Sequence, residues 1–294
     1  MPYLSAKQGL RILVVVVAPA ICASRQVNPS HSFTLVNCCD SKGLTVFPFD
    51  GAAFTIPLPF VPRTVVFSPK GNALYAIRPS APGGLYRSSL VKIQFHPTRV
   101  NPVWESADLE IGDFSVSMSE DKIVFAGRPR DRADRTCGLF EINLPGEKVR
   151  RVLENSDCRK GFPWSEITLC SDGERAITKV GRDLELVDLM HGTVKPLGIE
   201  FSKGPWDAGA VWSQDGKWLA VMEAANRGRL FLLDSSDLSR KRALRGGSHR
   251  MTPVWSPDSR YLVRGKVQLR CGISFDVDTP FTLEVVEIES GKGS

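Results

Sequence analysis

Three regularities in the 294-residue sequence predict an all-β fold, a β-propeller of four-stranded antiparallel blades, six in number. A serine-centred turn motif recurs five times and an apolar strand motif six times. The repeats lie roughly 40–50 residues apart, the length of one propeller blade.

The turn motif reads Val66-Phe67-Ser68-Pro69-Lys70-Gly71, Ser115-Val116-Ser117-Met118, Leu169-Cys170-Ser171-Asp172-Gly173, Val211-Trp212-Ser213-Gln214-Asp215-Gly216 and Val254-Trp255-Ser256-Pro257-Asp258-Ser259. With Ser68, Ser117, Ser171, Ser213 and Ser256 in one column, the preceding residue is always apolar. The residue six places later is always aliphatic: Leu74, Ile123, Ile177, Leu219 and Leu262. Serine, proline, aspartate and glycine build tight turns, proline by fixing φ and serine or aspartate by binding nearby amides. Valine, isoleucine and tryptophan on either side suit strands. The unit is therefore strand A, a turn, and strand B. A serine that recurs in every unit is structural, because five copies cannot all be nucleophiles.

The second motif is strand C, an apolar run that closes on a polar residue. Its six copies run Phe47 to Gly51, Leu90 to Ile93, Phe140 to Gly146, Leu186 to Leu189, Leu232 to Asp234 and Val285 to Ile288. A polar stretch such as Lys148 to Leu153 then serves as strand D. Serine spacings of 49, 54, 42 and 43 place the extra length between B and C, for example Arg128 to Arg135. Insertions of that kind gather on one face of a repeat array. Counting from Ser32 gives B, C and D, then four full blades, then A, B and C. Both end blades are one strand short unless the chain ends supply it.

The N-terminus predicts export. Lys7 and Arg11 precede the apolar run Ile12 to Ala20 and the small-residue end Ile21-Cys22-Ala23-Ser24, the layout of a signal peptide cleaved near Ala23. The run is shorter than the roughly 20 residues a spanning helix needs. Acylation at Cys22 is the competing reading, and Ile21 fits it poorly. Loss of Lys7 and Arg11 takes the formal charge from +6 to +4, leaving residues 24–294 as a single propeller domain with no transmembrane span. Positive charge is scattered among 32 acidic residues rather than gathered on one face, which argues against a nucleic-acid partner.

In an exported chain the cysteines read as structural. None lies in a C-x-x-C pair, so no zinc knuckle is indicated. Antiparallel pairing about Pro145-Gly146 brings residue 137 opposite 154 or 155. A small bulge then lets Cys158 reach Cys137, and a disulfide between them is expected.

The serine-turn and strand C patterns resemble the TolB-type propeller repeat, best at Trp255-Ser256-Pro257-Asp258 and Trp212-Ser213-Gln214-Asp215-Gly216. The resemblance spans about residues 32 to 290. It weakens at Ser117, where proline, aspartate and glycine are missing, and at Cys170, where an aromatic is replaced. It implies the fold, whose members include periplasmic interaction proteins and the propeller halves of peptidases, and it fixes no function.

No chemistry-bearing motif emerges. A G-x-S-x-G elbow and phosphate-binding glycine loops are absent. The four histidines, His31, His96, His191 and His249, occupy different repeat positions, so no metal and no cofactor is expected. Arg240-Lys241-Arg242 falls where an outer D strand belongs. Charges there guard a sheet edge, and an anionic partner is the second reading. Seven residues before the serines stand Trp164, Trp206 and His249, at the start of the innermost strand and hence at the channel mouth. They are the expected binding residues, with simple packing between blades as the competing role. The sequence thus predicts a monomeric, non-catalytic module that binds a protein or peptide across one face. The alternatives are a lyase or hydrolase-like propeller enzyme with an unseen site, and a glycan binder using Trp164 and Trp206.

Overall fold

The computed structural model describes residues 25–27, 33–37, 43–46, 54–60, 62, 64–69, 72–78, 88–95, 97–130, 136–144, 148–155, 164–180, 183–200, 210–223, 229–244, 253–255, 259–267 and 281–288. They form six antiparallel meanders. Sheet I holds β1 (Arg25–Val27), β2 (Phe33–Asn37), β3 (Gly43–Val46) and β4 (Phe54–Pro57). Sheet II holds β5 (Val65–Phe67), β6 (Ala73–Arg78), β7 (Ser88–Gln94) and β8 (Arg99–Ser106). Sheet III holds β9 (Leu109–Val116), β10 (Lys122–Pro129), β11 (Cys137–Asn143) and β12 (Val149–Asn155). Sheet IV holds β13 (Trp164–Leu169), β14 (Arg175–Val180), β15 (Asp183–Asp188) and β16 (Thr193–Glu200). Sheet V holds β17 (Ala210–Trp212), β18 (Trp218–Glu223), β19 (Arg229–Asp234) and β20 (Lys241–Leu244). Sheet VI holds three described strands, β21 (Val254–Trp255), β22 (Tyr261–Val267) and β23 (Phe281–Glu287).

The first strands lie innermost. β1, β5, β9, β13, β17 and β21 each approach the next in that order, and β21 returns to β1. Sheet I is complete because Arg25–Val27 supplies its A strand, and its C strand is β3, just ahead of the run from Phe47 to Gly51, which lies outside the described residues.

The core sits between sheets rather than within a single layer. Successive strand residues point to opposite faces, so each B strand feeds two gaps. Leu74 and Ala76 pack with Ile56 of sheet I, while Tyr75 and Ile77 pack with Ile111 and Phe114 of sheet III. Ile123 and Phe125 turn back to sheet II, while Val124 and Ala126 meet Ile167 and Leu169 of sheet IV. Strand segments covered on both faces must be apolar, which is why Ala73–Ile77 of β6 and Ile123–Ala126 of β10 read as unbroken hydrophobic runs. The tryptophans before the turn serines also fill these gaps: Trp212 packs between sheets IV and V, Trp255 between V and VI.

The turn hydrogen bonds correct the repeat register by one residue in sheet IV. The amides of Ser68, Ser117 and Ser213 each donate to the carbonyl five residues on, at Ala73, Lys122 and Trp218. In sheet IV that donor is Cys170, to Arg175 at 2.8 Å, and not Ser171. Cys170 therefore stands in the serine column and Ala176 replaces Ile177 in the aliphatic one. The spacings become 49, 53, 43 and 43. In Leu169-Cys170-Ser171 residue identity points to Ser171 and backbone geometry to Cys170.

The corrected register exposes the turn chemistry. The Ser117 and Ser213 hydroxyls accept the amides of Lys122 and Trp218 at 3.0 and 2.9 Å. They donate to Asp121 and Asp215 at 2.8 and 2.7 Å. The residue three places after the column has positive φ in every described case: Glu120, Gly173, Gly216 and Ser259. A serine at position 170 would find the same partners in Arg175 and Asp172. Cys170→Ser is therefore expected to shift stability by less than about 1 kcal/mol. A loss above about 2 kcal/mol in chemical denaturation would overturn the corrected register.

Candidate functional site

A meander gives each sheet two unlike ends. The A–B and C–D connections share one end, the B–C and D–A connections the other. All six A–B connections are five residues long, and the C–D connections run from four to seven. At the opposite end the lengths range from two, between β8 and β9, to thirteen, between β22 and β23. One end is built to a constant pattern; the other is varied.

The constant end is closed by polar staples from sheet to sheet. Glu120 takes the left-handed turn position where sheets IV and V have Gly173 and Gly216, with φ of 59°. Its carboxylate crosses to sheet II, accepting from the Lys92 ammonium at 2.6 Å, the Tyr75 hydroxyl at 3.1 Å and the Ser68 hydroxyl. Burial alone would raise its pKa, but the Lys92, Ser68 and Tyr75 donors outweigh that and hold it below the usual carboxylate range. Burial would likewise lower Lys92, and the Glu120 and Tyr75 contacts reverse this to raise it. Burial raises the Tyr75 phenol. Both shifts favour the Glu120–Lys92 ion pair at neutral pH.

Sheets III and IV are joined differently. The buried Glu141 carboxylate receives Lys122 at 3.3 Å and Arg150 at 3.2 Å. Arg150 also donates to the Leu189 and Met190 carbonyls at 2.6 and 3.4 Å, and Lys122 to the Gly173 carbonyl at 2.8 Å. Along the inner strands, Asp113 and Ser115 side chains accept the Ile167 and Leu169 amides. Arg150→Ala removes the charge-assisted bonds to sheet IV and is expected to cost about 1–2 kcal/mol in denaturant midpoint experiments. An unchanged midpoint would remove Arg150 from the set of staples.

Between sheets IV and V, Arg175 binds Asp172 at 2.9 Å and the Ser235 carbonyl at 3.1 Å, and its guanidinium covers the Trp212 ring. Burial raises the Cys170 thiol, which keeps it protonated and a poor nucleophile at neutral pH. Between V and VI, the Asp215 amide donates to Ser259 Oγ and Trp255 Nε1 to the Val211 carbonyl, both at 3.0 Å.

Of the expected binding residues, Trp164 opens β13, its backbone opposite Val180. Trp206 and His249 lie outside the described residues, within the D–A connections 201–209 and 245–253. The corrected register moves Trp164 to six places before its column residue, so it no longer aligns with the other two. All three still belong by chain position to the varied end. Cys137 pairs with Asn155 across a β11–β12 ladder that bulges between Leu139 and Phe140, and Cys137 is disulfide-bonded. Cys158 lies outside the described residues. Lys241 and Arg242 stand on β20, the outer strand of sheet V, where the sequence placed them.

Sequence reasoning missed the staples. The one available signal was the departure at Ser117, where the turn lacks glycine; Glu120 is the reason. Among the described residues no group of three or more His, Cys, Asp or Glu is placed to hold a metal ion. Among them, too, no helix is long and apolar enough to cross a membrane.

No family model and no curated protein matches this chain. Solved structures do match its fold. TolB from Acinetobacter baumannii superposes with a TM-score of 0.57 at 16% identity, over 92% of this chain and 62% of that one. The chain thus spans about three fifths of that protein's length. A putative TolB from Agrobacterium tumefaciens gives 0.57 at 14% identity, over 81% of each chain. An oligogalacturonate lyase in complex with manganese gives 0.60 at 12% identity, over 82% of this chain and 69% of that one. The chain is a TolB-like β-propeller in fold. Neighbours with a TolB and a lyase name show that this likeness carries the architecture, and function has to be argued from the site.

Proposed function

We propose that this chain is an exported, six-bladed interaction module that binds a protein or peptide segment through its varied end, without catalysis. The contrast between the two ends carries this reading. At the constant end Glu120, Lys122, Arg150 and Arg175 are engaged in holding sheet to sheet. The varied end holds the connections of unequal length, and loops set on a rigid scaffold are where recognition usually resides. By chain position Trp164, which opens β13, and Trp206 and His249, in the D–A connections, belong to that end, and tryptophan is among the residue types that dominate binding energies. The TolB-like architecture accords with a periplasmic or extracellular place, as does the apolar N-terminal run.

Affinity capture from the envelope fraction of the exporting cell tests the proposal. The expected result is a specific partner that is lost from a Trp206→Ala/His249→Ala variant and kept by Arg150→Ala. Loss of the reading would follow if the partner bound both variants equally, or if the purified protein bound manganese stoichiometrically and turned over an acidic polysaccharide.

A further inference from the structure

We propose that the outer edge of sheet V is a second binding site, one that accepts an acidic polypeptide segment as an added β-strand alongside β20. The site lies on the circumference of the molecule and is independent of the varied end.

The other fourth strands are blunted against such pairing. β4 ends on Pro57, and β8 carries Pro102 and a bulge. β12 carries a bulge at Val152, and β16 carries Pro196, a bulge and the left-handed Gly198. Proline and bulges are the usual devices that keep an edge closed. β20 has neither: Lys241, Arg242, Ala243 and Leu244 pair with Leu233, Leu232, Phe231 and Leu230 without a register shift.

The hydrogen-bond alternation fixes which groups face outward. The Asp234 amide donates to the Arg240 carbonyl, so this is a hydrogen-bonded pair, and such pairs alternate along an antiparallel ladder. Leu232–Arg242 and Leu230–Leu244 are then bonded pairs, while Phe231–Ala243 is not. The amide and carbonyl of Ala243 therefore point away from β19, toward the open edge, and Ala243 is exposed.

Charge selects the partner. Lys241 and Arg242 are both exposed and, as neighbours on a strand, project from opposite faces of the sheet. Each is held against an aromatic ring: the Lys241 ammonium lies 3.7 Å from the Phe231 centroid, the Arg242 guanidinium 5.8 Å from that of Trp218. An incoming strand meets a fixed cation on either face. The adjoining turn carboxylates, Asp234 and Asp237, are engaged with Ser236 and with Ser239 and Arg240. The same two cations repel a second basic edge, so they guard against self-pairing and favour an acidic strand at once.

The test uses the whole protein and a synthetic extended peptide of alternating glutamate and threonine, with its lysine–threonine counterpart as control. The acidic peptide is expected to bind, to weaken with salt, and to protect the Ala243 amide from hydrogen exchange. Arg242→Gln is expected to weaken it at least about threefold. Ala243→Pro removes one outward donor and no bond of the sheet itself, and is expected to weaken it at least about tenfold. Binding that survives Ala243→Pro unchanged means simple charge attraction and overturns the proposal. So does absence of binding at peptide concentrations near about 1 mM, the weak end of specific recognition. Self-association of the protein that Ala243→Pro abolishes would make the occupant a second copy, and that also overturns it.

Discussion

Glu120→Ala is expected to lower the unfolding free energy by about 2–4 kcal/mol, among the largest effects of any polar substitution in the molecule. The carboxylate is 5% exposed and binds an ammonium that keeps 26% of its side-chain surface. Removing one partner of a buried pair leaves the other desolvated and uncompensated. The exposed part of Lys92 tempers this, so the estimate sits toward the lower end of the range for fully buried pairs. The backbone makes the prediction sharper. A non-glycine residue at φ of 59° is strained, and alanine keeps that strain while losing the carboxylate. Glu120→Gly loses the carboxylate and relieves the strain, so it should be about 1 kcal/mol less damaging than alanine. Equal losses would mean that the left-handed turn stores no strain and that the lost staple alone sets the cost.

The same group gives a pH dependence. Glu120 has a folded pKa below its ordinary value, so its contribution is fully present above the ordinary carboxylate range. That contribution is lost as pH falls through the lowered folded value. Lys92 behaves in the opposite sense: its raised pKa leaves its contribution intact below the ordinary lysine value, to be lost as pH climbs through the raised one. Wild type should therefore lose stability in acid more steeply than Glu120→Gln.

Loss of the Cys137 disulfide is expected to have the second large effect. Cys137 sits on β11, buried between sheets III and IV, opposite Asn155 at the end of β12. We propose Cys158 as its partner, three residues beyond Asn155. A link closing that loop removes about 3 kcal/mol worth of unfolded-chain freedom, and Cys137→Ser should cost about that much. It should also loosen the start of the β12–β13 connection, which leads to Trp164. Non-reducing peptide mapping should recover a Cys137–Cys158 peptide pair; Cys137 joined to Cys38, Cys39 or Cys271 would refute the pairing.

Most of the architecture was legible because a propeller is periodic, and periodicity survives in a single sequence. Apolar runs rich in β-branched and aromatic residues told strands from turns, the Ser-Pro-Asp-Gly chemistry told where strands reverse, and the Pro145-Gly146 turn located the opposition of Cys137 and Asn155. The repeat register shifts by one residue where a cysteine takes the serine's place beside another serine; the Cys170 amide to Arg175 carbonyl bond and the left-handed Gly173 three places on distinguish the two. Alignment on Ser171 also assembled Trp164, Trp206 and His249 into one column. The staples were illegible for a different reason. Glu120 and Lys92 are 28 residues apart and meet only because sheets II and III pack face to face. No pattern within one repeat encodes a contact between repeats. The charges of Arg240, Lys241 and Arg242 were placed correctly on an edge, yet their relation to the outward amide of Ala243 needed the ladder's phase.

We propose a division of the molecule into a scaffolding end and a recognizing end. Chemical cross-linking of the captured partner, read by mass spectrometry, tests this most directly. The predicted result is cross-links at lysines placed one at a time in the D–A connections 156–163, 201–209 and 245–253. Cross-links confined to positions at the constant end, such as Lys122 or Lys217, would contradict it.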